Sequence, residues 1–256
     1  MTPVHWEVHS CHCMSIFTLE DVIEAKSKVM KKPRIALIHA LPHSVTPINS
    51  AMIRLWPEAN RMNLQDDSLS TDLAIAEAHS PGTGLDAFMH ERFVRLAQYA
   101  VDCGADAILF TCSAFGSCIE AVAKKQKIPV LKPNEAMIEQ AVALVGERGK
   151  MNGQILGLVS SFAPTLASMP AEFSSDVNLE MKLAEGAMAA LNTGDIATHD
   201  KLVVEAAQSL LKQGAKVIAL AQYSMAHCKP MVEAACGVPV LTTTDSAIEK
   251  LKRLLS

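Results

Sequence analysis

Two blocks of this chain recur at one fixed spacing, and that recurrence limits the folds open to it. Gly104-Ala105-Asp106-Ala107-Ile108-Leu109-Phe110 resembles Gly214-Ala215-Lys216-Val217-Ile218-Ala219-Leu220, an offset of 110 (214 − 104). Ile128-Pro129-Val130-Leu131 matches Val238-Pro239-Val240-Leu241 at the same offset, 238 − 128 = 110. Each pair of blocks follows a stretch with apolar residues every three or four positions. These stretches, Asp86–Cys103 and Thr198–Gln213, are expected to be helices. Gly104 and Gly214 then fall where a left-handed residue ends a helix. Candidate strands are Arg34–His39, Ala107–Thr111, Val130–Leu131, Ile155–Ser160, Lys216–Ala221 and Val240–Leu241. Several are apolar almost throughout, as parallel strands covered on both faces must be. Strands alternating with helices imply an α/β fold with parallel sheets. The repeat implies two similar parallel-sheet lobes, residues 33–145 and 146–256, with room for segments exchanged between the halves. A small-molecule site is expected in the cleft between them.

Composition narrows the ligand. Half of the 256 residues are hydrophobic and 20% are charged, enough apolar material for a large core. The net charge of −4 is interspersed, and no Lys/Arg block favours nucleic acid or an anionic membrane surface. With aromatics at 4%, base-stacking platforms are also disfavoured. A small molecule is the expected partner, and a homo-oligomer is expected as well. No apolar run reaches the roughly 18 residues of a membrane helix. Seven scattered cysteines, an odd number, read as reduced thiols in a cytoplasmic protein rather than a disulfide framework.

Residues 1–32 stand apart as an N-terminal extension, disordered or partly helical over Leu19–Lys32. Met30-Lys31-Lys32-Pro33-Arg34-Ile35 reads like a protein start running into a strand. Cys11-His12-Cys13 has metal-ligating side chains, but neighbours on an extended chain point opposite ways and a tetrahedral site needs four ligands. No metal or other cofactor is expected. The chain has no Gly-x-Gly-x-x-Gly after the first strand, no phosphate loop, no His-Glu-x-x-His and no Gly-x-Ser-x-Gly.

The chemistry is expected beyond the carboxyl ends of the strands, where parallel α/β sheets bind ligands. The repeat makes two such ends equivalent: Thr111-Cys112-Ser113-Ala114 and Ala221-Gln222-Tyr223-Ser224. Cys112 corresponds to Gln222 (222 − 112 = 110). A helix starting at each end would offer free backbone N–H groups to a carboxylate, with Ser113 and Ser224 as further donors. As a catalyst, Cys112 needs its thiol pKa lowered from about 8.5. The plainer reading is a small buried hydrophobe. Cys103, Cys118 and Cys236 lie in or beside helices and read as core or surface residues. His39, at the end of the first strand, polarises Cys112 or holds a carboxylate, or is simply satisfied by backbone. His43, Ser44, Thr46 and Asn49 line the cleft or form an ordinary loop. Ser160 and Ser161, in the equivalent loop of the second half, bind a carboxylate or cap the next helix. His227 is a weaker candidate, and Cys228 lies too far past Gln222 to replace it.

Strand–Thr–Cys–Ser followed by strand–Ile–Pro–Val, repeated in a second half, resembles the aspartate/glutamate racemase superfamily. That group includes maleate isomerases and arylmalonate decarboxylases, and the resemblance spans Arg34 to the C-terminus. It implies a cofactor-independent racemase or isomerase that moves a proton at the α-carbon of a small carboxylate. The family's racemases place one cysteine at the equivalent strand end of each half. Cys112 matches the first position. Gln222 stands at the second, where it donates a hydrogen bond but exchanges no proton. The alternatives are a one-cysteine decarboxylase or lyase, and a non-catalytic carboxylate-binding protein on the same scaffold.

Overall fold

The computed structural model describes residues 32–146 and 153–256. Expectations for residues 1–31, including all but the last residue of the Leu19–Lys32 helix and Cys11-His12-Cys13, lie outside the described residues. Pro33–Ser256 form one unit. Its first half runs β1 (Arg34–His39), α1 (Val45–Leu55), β2 (Asn60–Gln65), α2 (Ser68–His79), α3 (Ala87–Asp102), β3 (Ala107–Phe110), α4 (Gly116–Ala123), β4 (Val130–Leu131) and α5 (Glu135–Val145). The second half runs β5 (Ile155–Ser160), α6 (Ala163–Ser168), β6 (Leu179–Leu183), α7 (Ala187–Asn192), α8 (Ile196–Lys212), β7 (Ala215–Leu220), α9 (Lys229–Cys236), β8 (Val240–Thr242) and α10 (Thr243–Leu254).

Two four-stranded sheets result, ordered β2-β1-β3-β4 and β6-β5-β7-β8, and every pairing is parallel. The repeat extends to register. Ile108 pairs with Val130 and Ile218 with Val240, preserving the offset of 110 (218 − 108 and 240 − 130). Leu37 pairs with Leu109, and Leu158 with Ala219, so β1 and β5 correspond at an offset of 121 (158 − 37). His39 is therefore the counterpart of Ser160 (160 − 39 = 121).

Successive strand residues face opposite sides. Ala36, Ile38, Ile108 and Phe110 meet Phe93 and Ala97 of α3 and Ile119 of α4. Ile35, Leu37, Ala107 and Leu109 meet Ile48 and Met52 of α1 and Ile248 and Leu251 of α10. The C-terminal helix thus covers the first sheet. Conversely α5, which follows β4, puts Met137, Ile138 and Ala141 on Leu156, Leu158, Val217 and Ala219 of the second sheet. Each half lends its last helix to the other. Ion pairs hold this exchange: Arg54 to Asp245 at 2.7 Å, and Lys250 to Glu135 at 2.8 Å and Glu139 at 2.6 Å.

β2 and β6 escaped the sequence reading. Both are edge strands, and Asn60-Arg61-Met62-Asn63-Leu64-Gln65 is mostly exposed or half-exposed. An edge strand needs no continuous apolar run, which was the signal used for the others. Gly104 and Gly214 do close α3 and α8, with φ of +77° and +97°.

Candidate active site

β3 and β7 deliver Cys112 and Gln222 in the same backbone state. Cys112 has φ −126°, ψ 122° and Gln222 has φ −134°, ψ 145°. Each is the extended residue before a 3-10 turn, Ser113–Phe115 in one half and Tyr223–Cys228 in the other. An α-helix follows only after that turn, so the expected helix N-terminus is replaced by a tighter one. The first N–H groups of such a turn still lack internal partners. Both residues line one cleft of about 480 Å³.

Cys112 is half-buried, against the apolar residues Ile38, Ala40, Leu69, Phe93 and Phe110. Burial pushes its thiol above the ordinary value, and the Ala114 N–H, which donates to the sulfur, pulls the other way. The lowered pKa that a thiolate catalyst needs is therefore opposed by this burial. The wall behind the sulfur is hydrocarbon, and desolvation disfavours the thiolate. Cys118 and Cys236 are buried, Cys103 is half-buried, and none of them lines the cleft.

Gln222 is held by its carbonyl. Oε1 accepts from the Ser161 N–H at 2.7 Å, the Ser161 hydroxyl at 2.8 Å and the Ser160 hydroxyl at 3.0 Å. A backbone N–H only donates, so the atom facing it must be the amide oxygen. The Nε2 amino group is left to the cleft, with two N–H donors. Ser160 and Ser161 are buried and belong to this clamp rather than to the lining. Neither caps α6, whose preceding residue Phe162 has no side-chain cap bond.

His39 is wholly buried and does not line the cleft. Its Nε2 lies 3.0 Å from Asn63 Oδ1, an acceptor, so Nε2 carries the hydrogen. Nδ1 then accepts, from Thr111 Oγ1 at 2.9 Å or Ser44 Oγ at 3.2 Å. Burial lowers its pKa, with the Asn63 bond opposing, which favours the neutral ring. It ties β1 to Thr111, the residue before Cys112. Asn49 also sits behind the site, donating to Asn63 Oδ1 at 2.7 Å. Neither is among the residues that line the cleft.

The lining brings together Cys112, Ser113, Ala114, Gln222, Tyr223 and Ser224 from the two strand ends, as the repeat requires. His43 and Ser44 join them from the loop after β1. Tyr223 is buried with its hydroxyl unpartnered among the described residues, and burial, then Cys112 and Glu135, hold its phenol far above the usual range. Thr165, the last hydroxyl of the loop run from Ser160, also lines the cleft, whereas sequence reasoning missed Asn134 and the apolar wall of Leu73, Phe162, Met188 and Leu191. Asn134 follows β4, where an isolated Asn carries no pattern. The wall comes from α2, the loop after β5, and α7, none of which repeats visibly in sequence. Among the described residues, no Lys or Arg lines the cleft. A carboxylate would be met by hydroxyl, amide and backbone N–H donors.

A sequence profile of the Asp/Glu/Hydantoin racemase family matches residues 86–251, a span containing both strand ends. No curated protein matches the chain. Among solved structures, allantoin racemase from Klebsiella pneumoniae superposes with a TM-score of 0.64 at 16% identity, over 88% of each chain. A glutamate racemase isoform from Bacillus anthracis gives 0.61 at 12% identity, over 87% of this chain and 81% of the other. A mutant arylmalonate decarboxylase in a sulfate-associated form gives 0.58 at 19% identity, over 87% and 93%. At these identities the superpositions speak for a shared two-lobe α/β fold.

Proposed function

Since the chain belongs to the Asp/Glu/Hydantoin racemase family, we propose that it is an isomerase-type enzyme transferring a proton at the α-carbon of a small carboxylate, with Cys112 as acid or base. The observation that carries this reading is the seating of Cys112 and Gln222 at equivalent strand ends of one cleft. The reacting carbon sits between them. The Ser113 and Ser224 hydroxyls, with N–H groups of the two 3-10 turns, hold the carboxylate. As the α-proton leaves, charge grows on the carboxylate oxygens, and the Gln222 Nε2 donors, fixed by the Ser160–Ser161 clamp, stabilise it. Donors already oriented need no reorganisation at that moment. No cofactor is invoked, because the thiol exchanges the proton.

A second reading has a specific observation behind it. Gln222 cannot return a proton, and burial favours the protonated form of Cys112, which can give one. That pairing suits a one-sided reaction: loss of a leaving group such as CO2 from the α-carbon, then protonation of the enediolate by Cys112. An arylmalonate decarboxylase is among the proteins of this fold. A screen of small carboxylates in D2O tests both. Deuterium entering at the α-carbon with the native protein, and at least about a hundredfold slower with Cys112→Ser, supports the assignment. Exchange with inversion indicates racemisation, and deuterated product of one hand indicates the one-sided path. Exchange at the native rate in Cys112→Ser would remove Cys112 from the mechanism.

A further inference from the structure

His199 and Asp200, in the first turns of α8, face His227 and Cys228, which end the 3-10 turn after β7. None of the four lines the cleft. One ligand atom from each, His199 Nδ1, Asp200 Oδ1, His227 Nε2 and Cys228 Sγ, lies within 4.8 Å of all the others. We propose that these four side chains form a metal site for a zinc-like divalent cation, which staples the start of α8 to the segment bearing Tyr223 and Ser224.

Three potential ligand atoms converge on one oxygen. Asp200 Oδ1 is 2.6 Å from His227 Nε2, 2.8 Å from His199 Nδ1 and 3.2 Å from Cys228 Sγ. Two ring nitrogens and a sulfur, all able to ligate a metal, thus crowd one carboxylate oxygen. The sulfur also stands 3.6 Å from His227 Nε2 and 3.9 Å from His199 Nδ1. Around a tetrahedral zinc with bonds of about 2.0–2.3 Å, neighbouring ligand atoms lie roughly 3.3–3.7 Å apart. The sulfur–nitrogen distances are near that spacing. The shorter ones all involve Asp200, which would swing outward by about an ångström, while the two histidine nitrogens, up to 4.8 Å apart, would close toward each other to admit the ion.

Burial fits the same reading. His199 is wholly buried, with Nε2 unpartnered among the described residues, and Cys228 is wholly buried too. A metal on Nδ1 would take that nitrogen's lone pair and leave Nε2 to carry the ring hydrogen. The His227 side chain is 43% exposed and gives the ion a way in. Two nitrogens, a sulfur and a carboxylate oxygen suit zinc or cobalt, whereas calcium and magnesium demand oxygen ligands. Four protein ligands leave no open position, so the role is structural. In sequence the ligands come as two adjacent pairs, His199-Asp200 and His227-Cys228, spaced by 28 residues (227 − 199). The inference does not depend on what the cleft does.

The test loads the full chain with zinc chloride, dialyses it and measures bound metal. The native protein should retain one zinc equivalent more than His227→Gln, and one more than Cys228→Ser, under the same dialysis. That difference isolates this site from any other ligands in the chain. Cobalt in place of zinc should give the intense visible bands of tetrahedral Co(II) and a thiolate-to-cobalt charge-transfer band, the latter lost in Cys228→Ser. Zinc should raise the melting temperature of the native chain by about 5 °C and leave that of His227→Gln unchanged. If Cys228→Ser fails to fold, the exposed His227→Gln variant carries the test alone. Equal zinc in the native protein and His227→Gln, or cobalt bound without a thiolate band, overturns the proposal.

Discussion

Replacing Gln222 by Glu tests the clamp and the cleft in one molecule, because the two ends of this side chain sit in opposite electrostatic surroundings. The Oε1 end lies among three donors, at 2.7, 2.8 and 3.0 Å. A carboxylate oxygen placed there keeps all three bonds. Each strengthens from about 0.5–1.5 kcal/mol toward the 1.5–3 kcal/mol of a charged acceptor. The fold should therefore be unharmed. The other end changes from two N–H donors into a negatively charged oxygen facing the cleft. Two like charges 4 Å apart repel by about 1 kcal/mol in water and about 4 kcal/mol at the dielectric of a partly buried site. Gln222 is half-buried, so a penalty of roughly 2–4 kcal/mol is expected for a carboxylate ligand, about 30- to 1000-fold in affinity. The assay pairs a thermal melt with titration of the carboxylate found in the D2O screen, for the native protein and Gln222→Glu. Weakening of less than about threefold would mean that Nε2 does not face the ligand. A fall in melting temperature beyond about 4 °C would mean that Oε1 is not seated among the serine donors.

Cys112→Ser should leave the melting temperature within about 2 °C and cut α-proton exchange by about a hundredfold or more, measured by NMR in D2O. Iodoacetamide labelling of Cys112, followed by peptide mapping, should accelerate about tenfold per pH unit from pH 7 to 9 without levelling, because burial raises this thiol; a plateau below pH 8 would contradict that direction. Gln222→Cys should raise racemisation relative to any one-sided reaction, read as the ratio of inverted to retained product, and no change would place the α-carbon away from this position. The depressed pKa of His39 makes the folded state bind fewer protons than the unfolded chain, so its contribution is complete above about pH 6.5 and is lost as pH falls from there toward the folded value. The urea midpoint should drop between pH 7 and pH 5 by more in the native chain than in His39→Gln, and equal drops would assign the acid sensitivity elsewhere.

The sequence by itself determined the parts of this protein that repeat. Central strands are apolar on both faces, so β1, β3, β4, β5, β7 and β8 stand out, and two blocks at an offset of 110 pair Cys112 with Gln222 before any coordinates are known. Only the tertiary structure decided the rest. β2 and β6 are edge strands whose polar residues face solvent, so local hydrophobicity does not mark them. Exchange of α5 and α10 between the sheets rests on contacts about a hundred residues apart, such as Lys250 to Glu135, which no local pattern encodes. His39 and Ser160 looked like ligand-binding groups because they end strands at the right height. Packing turned one into a buried anchor for Thr111 and the other into a clamp on Gln222. The pKa of Cys112 shows the same division. Its position is a one-dimensional property of the chain, but its charge depends on the hydrocarbon that folding brings behind it, and that wall comes from β1, α2 and α3 together.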